Sequence, residues 1–520
     1  MPDSAAPPLL ETEVLVVGAG PTGLMAALVL ARRGVRAVVI DPKAGPTRES
    51  RAIVVQSRSM EILDQLGIAG PVLAGAQPVL RIQLRDGEEP VQANFSRQQE
   101  GWTPFPGAQI FEQSRTEALL SEALAEQGAP VRYGHELVSF TLGTPTTGTP
   151  TAAADGTPSG VEALVHGPDG PLRLRARWLI GADGASSPVR HQLGLGFEGI
   201  TDDATFCVAD LHGVHGAPDD AISVRFGQER FALLFPLGPG GHSRLIWLHG
   251  DAHPEQASAL AGAREDLGIR YEEVAWFSAY RVHHRVATRF RSGPVLLAGD
   301  AAHVHSPVGG QGMNTGLQDA HHLANLLADI AAGRLDASAI DRYERERRPV
   351  ALTLIGATDR AFGVIARTGR GTAFLRRRAR DVLAGLAPRL LATRFGAYAG
   401  GLLGQYRIHY HPVPDGEPLP RWAREGSVGR RLRPTQENRA ALRAMSWQLH
   451  TYGTEAARPA VPEWVQGPFA FPADPRGRMR ADHLYLVRPD GFVAAALPLH
   501  AGAAAAADLD AALSASAVVR

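Results

Sequence analysis

The stretch EVLVVGAGPTGLMAALVLARRGVRAVVID, residues 13–41, decides the fold. An apolar run (Val14–Val17) meets a glycine-rich turn, an Ala/Leu-rich amphipathic segment follows, and a second apolar run (Ala37–Ile40) closes the unit. That order reads as a βαβ unit with its crossover helix. Gly18, Gly20 and Gly23, with Pro21 and Thr22 between them, make a GxGxxG turn that follows a strand and opens a helix. The first glycine permits the tight turn, the second lets backbone approach a pyrophosphate, and the third allows close helix–strand packing. The anion would rest on the free N–H groups at the positive end of the helix. Asp41 ends the second strand 23 positions after Gly18 and matches the acidic residue that accepts a bond from a ribose hydroxyl. A GxGxxG alone is equally a structural glycine turn. With its strand, helix and acidic residue it points to a bound dinucleotide, without saying FAD or NAD.

The 520 residues suggest two to four domains at about 100–200 residues each. Hydrophobic residues at 44%, charged residues at 20% and a net charge of zero fit a globular chain, with no excess charge to favour nucleic acid or a membrane surface. Lys43 is the only lysine among 53 basic residues, read first as a codon bias and second as a sign of an arginine-lined site. Cys207 is the only cysteine, which excludes a disulfide framework, a CxxC pair and cysteine-rich metal sites. Redox chemistry would have to come from an organic cofactor. No secretory signal shows in Met1–Leu10, and no clean apolar span of ~20 residues occurs. A cytoplasmic protein is expected.

Further along, SMEILDQLG (residues 59–67) and Phe111–Gln127 read as helices, and Leu73–Trp102 and Arg132–Leu142 as strands. Thr141–Gly160 reads as a loop or hairpin tip, and Leu172–Ile180 as a strand. The runs FCVADL, AISVRF, RFALLF and SRLIWL within Phe206–Leu248 have the spacing of an antiparallel sheet. Val295–Ala298 is a short buried strand, Gly316–Arg347 a long helical region, and the pattern stays helical to about Tyr406. A Pro-rich linker (His411–Pro420) leads to two strands, Leu484–Val487 and Phe492–Leu497. The fold class is therefore α/β: a Rossmann-like unit with an inserted, mainly antiparallel β domain and a small C-terminal domain.

Two more motifs narrow the cofactor. Gly181-Ala182-Asp183-Gly184 precedes Ser187 and Arg190, and VLLAGDAAHVHSPVGGQGMNTGLQDA runs from Val295 to Ala320. Gly299-Asp300 ends a strand, where the aspartate can accept a ribityl hydroxyl bond. Pro307 to Gly316 supplies glycines and backbone N–H groups at a helix start, a cradle for an electron-rich flavin edge. Together the three motifs resemble the class A flavoprotein monooxygenases of the para-hydroxybenzoate-hydroxylase-like fold, most of all the FAD hydroxylases that tailor aromatic polyketides. The likeness covers residues 11–350 well and the remainder loosely.

The resemblance implies FAD held at Gly18, Gly20, Pro21, Thr22, Gly23, Asp41, Pro42, Gln113, Leu137, Asp183, Gly299, Asp300 and Pro307, with Gly310, Gly312, Met313 and Asn314 at the isoalloxazine. Arg51, in a segment the family lays across the flavin, could meet a pyrophosphate or a substrate oxygen; it is the one catalytic candidate, with a surface arginine as the alternative. Gln113 is either a flavin contact or a helix-capping amide. Gln56 stands where many relatives carry His. His303 and His305 lack the spacing of a metal site. No second Rossmann fingerprint follows residue 200, so NADPH, in preference to NADH, would bind transiently on the flavin domain.

In the family, reduced FAD and O2 give a C4a-hydroperoxide whose terminal oxygen goes to the substrate, so no catalytic triad is expected. The implied domains are 1–75, 110–200 and 285–410 for FAD, 76–109 and 201–284 for substrate, and 411–520 for a thioredoxin-like tail without cysteine, structural or an oligomer contact. A homodimer is compatible with this reading. Phe206, Phe226, Phe231, Phe235 and Trp247 are candidates for the wall around a large aromatic substrate, about half of them facing inward by strand alternation. The alternatives are Baeyer–Villiger insertion into a ketone by the same fold, a plain FAD oxidase, and a non-catalytic FAD-fold binding protein.

Overall fold

Val14–Val17 and Ala37–Ile40 lie side by side as parallel strands, because the chain between them is a helix that must return to the same sheet edge. Strand β1 (Leu9–Val17) leads into helix α1 (Pro21–Arg32) and then strand β2 (Ala37–Asp41). The computed structural model describes residues 7–47, 52–85, 91–143, 160–226, 231–249, 254–305, 310–366, 400–401, 404–411, 418–499 and 503–519. The strand Gly170–Gly181 pairs with β1 on its other side, also parallel, and the strand Val295–Leu297 pairs parallel beyond it. In this register Val17, Gly181 and Leu297 stand level. Three motifs far apart in sequence therefore leave the same sheet edge next to one another. Ligands of open α/β sheets bind at that edge, outside the carboxyl ends of the strands.

A second, eight-stranded sheet carries the strands Arg81–Arg85 and Val91–Asn94 beside Ala221–Phe226, Phe231–Gly238, His242–His249, Phe197–His212, Glu273–Ala287 and His303–Val304. The runs read as strands from the sequence are all there. The long strand Glu273–Ala287, which pairs with Phe197–His212, is an addition to that reading. Period-two alternation gives the sheet two unlike faces. Cys207, Ala209, Leu245 and Trp247 pack against the helix Gln256–Leu267, while Phe206, Val208, Phe235, Ile246 and Val282 form the opposite face.

Local departures have local causes. The stretch from Leu73 opens in a helix, Ala69–Gly75, and Ser96–Gln99 is a single helical turn, so Leu73–Trp102 is less extended than its alternation suggests. The helical region Gly316–Arg347 is two helices, Gly312–Ala331 and Asp341–Ala366, broken where Gly333 takes φ +67° and Asp336 caps a short turn through Ser338 N. Strands Glu136–Gly143 and Gly160–Gly167 pair as the arms of a hairpin; 144–159 between them lie outside the described residues, as do 367–399 and 412–417.

The C-terminal part holds a four-stranded sheet, Gln448–Tyr452, Gln466–Phe471, His483–Val487 and Val493–Pro498, followed by the helix Ala503–Ala515. Its first two strands are parallel, yet residues 453–465 between them contain no helix. This part docks on α2 (Ser57–Gln65), whose residues are all buried. Arg58 donates to the Asp490 carbonyl (2.9 Å), Gln65 to the Leu442 and Pro489 carbonyls (both 2.8 Å), and Arg431 pairs with Glu61 (2.8 Å). No helix among the described residues is long and apolar enough to cross a membrane.

Candidate active site

The three level strand ends open into a cleft of about 600 Å³ between the Rossmann-like unit and the face of the antiparallel sheet. One side is made by Gly20, Pro21 and Thr22 at the start of α1, the turn Ala182–Ala185, Asp300, and Gly310–Met313. The other is Phe235, Ile246, Trp276, Ser278, Tyr280 and Val282.

The glycine turn is forced by its surroundings. Gly18 has φ +105°, and a Cβ there would lie 2.3 Å from the Ala182 carbonyl oxygen, because the second motif's strand runs alongside. A Cβ on Gly23 would lie 1.9 Å from the Gly18 oxygen. At Gly20, by contrast, no protein atom lies within 4 Å of the Cβ position, and the residue lines the cleft. Helix α1 starts there with no side-chain cap, and so does the 20-residue helix Gly312–Ala331 at Gln311. The N-termini of two helices without a side-chain cap, with the positive ends of their dipoles, thus border one cleft, a cradle that suits a pyrophosphate at one end and an electron-rich ring edge at the other.

Thr22 joins the first motif to the third. Its Oγ1 would be 2.5 Å from a Cβ on Gly299 and 2.3 Å from one on Gly316. Arg190 joins the second to the third: buried, it donates to the carbonyls of Ala301 (2.9 Å) and Ala185 (2.8 Å) and lies over the Phe197 ring. Asp319 then fixes the turn after Val295–Leu297. One carboxylate oxygen accepts from Gly299 N (3.2 Å) and His303 Nε2 (2.7 Å), the other from Arg347 Nε (2.7 Å). Burial alone would raise this carboxyl; Arg347 and His303 outweigh it and hold it at about 2.

Of the residues expected at the cofactor, Gly20, Pro21, Thr22, Gln113, Asp300, Gly310, Gly312 and Met313 line the cleft. Gln113 is steered by Glu117, which accepts from its Nε2 (2.9 Å). Four others have side chains engaged within the fold. Asp41 is buried and accepts from Ala19 N (2.7 Å) and Lys43 N (2.8 Å), so it braces the glycine turn; Pro42 beside it is exposed. Asp183 accepts from Ser187 Oγ (2.6 Å) and Val189 N (2.9 Å), closing its own turn, and burial raises its carboxyl above the usual range. Asn314 donates to the carbonyls of Val54 and Gly310 (both 2.7 Å) and accepts from Gln56 N (2.8 Å), tying Val54–Gln56 to the helix start. Leu137 packs into the core of the Rossmann-like unit, away from the cleft lining. Arg51 and Pro307 lie outside the described residues.

The aromatic wall differs in membership from the sequence reading. Phe235 lines the cleft, Phe206 sits beneath it against Tyr280 (6.4 Å between centroids), and Trp247 faces the opposite side of the sheet. The side chains of Phe226 and Phe231 lie outside the described residues. Trp276 and Tyr280, absent from that reading, complete the wall. Their signal is the alternation Trp276, Ser278, Tyr280, Val282, which stops at a bulge before Trp276, so that Val274 packs with Phe277 on the opposite face. His303 serves Asp319, and no metal-binding group of His, Cys, Asp or Glu occurs among the described residues.

Residues 11–358 match the family described as FAD binding domain. A 6-methylpretetramide 4-monooxygenase from Streptomyces rimosus is 36% identical over 367 residues, 68% of this chain but only 62% of its own length, so the match covers under two thirds of that relative. A 12-dehydrotetracycline 5-monooxygenase/anhydrotetracycline 6-monooxygenase from Streptomyces rimosus subsp. rimosus is 33% identical over 370 residues, 67% of this chain and 69% of its own. Among solved structures, OxyS anhydrotetracycline hydroxylase from Streptomyces rimosus superposes with a TM-score of 0.75 at 27% identity, covering 97% of this chain and 99% of its own. CabE, an aromatic hydroxylase from angucycline biosynthesis, gives 0.75 at 29% identity, with 98% and 99% coverage.

Proposed function

This chain belongs to the FAD-binding-domain family that includes the class A flavoprotein monooxygenases, and we propose that it is an NAD(P)H-consuming monooxygenase that hydroxylates a large aromatic, polyketide-type substrate. The observation that carries the reading is the cleft itself, in which three cofactor motifs face an aromatic sheet wall across one cavity. Gly20, Pro21 and Thr22 would hold the pyrophosphate of FAD, Asp300 its ribityl chain, and the N–H groups from Gly312 onward its ring edge. FAD bound there would supply the two-electron chemistry that the side chains lack: accepting hydride from nicotinamide and activating O2.

The chain's own work is orientation and exclusion of water. Phe235, Trp276 and Tyr280 would offer ring surface to a planar substrate, and Ile246 and Val282 add apolar wall. The N–H dipoles at the helix start Gly312 would stabilise negative charge on a bound ring edge without reorganising. NADPH, in preference to NADH, is the donor, binding transiently because no second fingerprint follows residue 200. The C-terminal part is read as a thioredoxin-like domain with a structural role; its sheet, in which the first strand lies between the second and the third, and its lack of cysteine support that reading.

The test is optical. The purified protein should carry a flavin spectrum that NADPH bleaches without air, and admitting O2 with a polycyclic phenol should restore it with a hydroxylated product. A lactone from a ketone substrate would replace hydroxylation with Baeyer–Villiger insertion. Return of the spectrum with peroxide alone, across phenols and ketones, would make the protein an oxidase.

A further inference from the structure

A second cavity, of about 830 Å³, lies between Trp102 and the C-terminal part and shares no lining residue with the cleft described above. Its volume falls within the ~300–1,000 Å³ of small-molecule sites. Its composition is unusual for a packing void: five arginines line it against three carboxylates, with Tyr406, Tyr452 and Phe471 supplying ring surface.

Arg431 is engaged by Glu61, and Arg478 by Asp474 (3.1 Å), while Glu425 accepts from Ser427. Arg407, Arg476 and Arg478 crowd one indole, with guanidinium carbons 4.9–5.4 Å from the Trp102 ring centre. Arg433 lines the same cavity with its Nε buried and unbonded. Burial, then Arg478 and Arg476, lower its affinity for a proton more than Asp474 and Glu437 restore it, so a cation sits in a field that is already positive. The hydroxyl of Tyr406, a residue only 5% exposed, is likewise buried without a partner. A buried unsatisfied hydroxyl and guanidinium N–H each carry a desolvation cost that a bound acceptor would remove.

We propose that this cavity is a second ligand site, taking a planar aromatic molecule that bears an acidic group, with the acid on Arg433 and Tyr406 and the ring against Tyr452 and Phe471. Two sources share that chemistry: an aromatic carboxylic acid, or the phosphorylated adenosine end of a nicotinamide dinucleotide. Charge-assisted bonds of this kind make the acid indispensable, so the neutral amide of the same ring should not bind.

The experiment is calorimetric titration of the FAD-loaded full chain with 2-naphthoate, 2-naphthamide and 2′,5′-ADP, repeated on Arg433→Gln and Tyr406→Phe. Neither substitution removes a bond that the fold uses, and a melting curve checks that both variants are folded. One of the two anions should bind and the amide should not, with affinity falling about tenfold to a hundredfold in Arg433→Gln. Binding of 2-naphthoate assigns the site to aromatic acids, and binding of 2′,5′-ADP assigns it to the dinucleotide. Absence of binding by both anions, or affinity unchanged in both variants, overturns the proposal.

Discussion

Replacing Gly316 by alanine is a small change that should loosen the cofactor. A Cβ at this position would stand 2.3 Å from Thr22 Oγ1 and 3.3 Å from Gly299 Cα. At 2.3 Å the contact is relieved only by moving Thr22 or the start of α1. Overpacking of this kind costs about 1–3 kcal/mol, and the contact here belongs at the upper end. Alanine in a helix interior recovers about 1 kcal/mol, which leaves a net loss of about 2 kcal/mol. Because the displaced residue is at the start of α1, where the pyrophosphate would rest, the FAD dissociation constant should rise about tenfold or more. The assay is fluorescence quenching of FAD titrated with apoprotein, beside melting curves. Thr22→Ala removes the oxygen and leaves a Cβ 3.6 Å away, an ordinary contact. In that background Gly316→Ala should add no further loss of FAD affinity, and the helix gain should show as a higher melting temperature. An equal effect of Gly316→Ala in both backgrounds would refute the steric coupling of the first and third motifs.

Three further outcomes follow from the same geometry. Asp319→Asn leaves the Arg347 guanidinium buried without its counter-charge, and should cost about 3–5 kcal/mol of stability in a denaturant titration. Asp319 and Glu346 are both lowered to about 2 in the folded state, from 3.8 and 4.5. Their contribution is fully present above about pH 4.5 and is lost as pH falls through about 2, so acid unfolding should steepen in that window and flatten in Asp319→Asn. Trp276→Ala should raise KM for a polycyclic substrate about tenfold while leaving the FAD dissociation constant unchanged; a parallel loss of FAD would place Trp276 at the cofactor instead.

The βαβ unit was legible because a strand, a glycine turn, a helix and Asp41 fall within 29 residues, where local periodicity suffices. The four short strands up to Leu248 were legible for the same reason. Convergence of the three motifs was not, since it depends on the parallel register that sets Val17, Gly181 and Leu297 level. The polar residues of the motifs divide in a way that spacing does not reveal. Asp41, Asp183 and Asn314 satisfy backbone groups of the turns they stand in, whereas Gln113 and Asp300 reach the cleft. A motif needs both kinds, because sharp turns leave N–H groups that a short polar side chain must satisfy. Arg347 and Asp319 were invisible for a third reason: their partnership spans two helices separated by a break.

The central claim is that this cleft holds FAD so that one atom of O2 enters an aromatic substrate. The most direct measurement is turnover with NADPH and a polycyclic phenol under O2 enriched in the heavy isotope, followed by mass spectrometry of the product. One heavy oxygen atom is expected in each hydroxylated product. Product whose new oxygen comes from water, or NADPH consumption yielding only peroxide with every aromatic substrate, would contradict it.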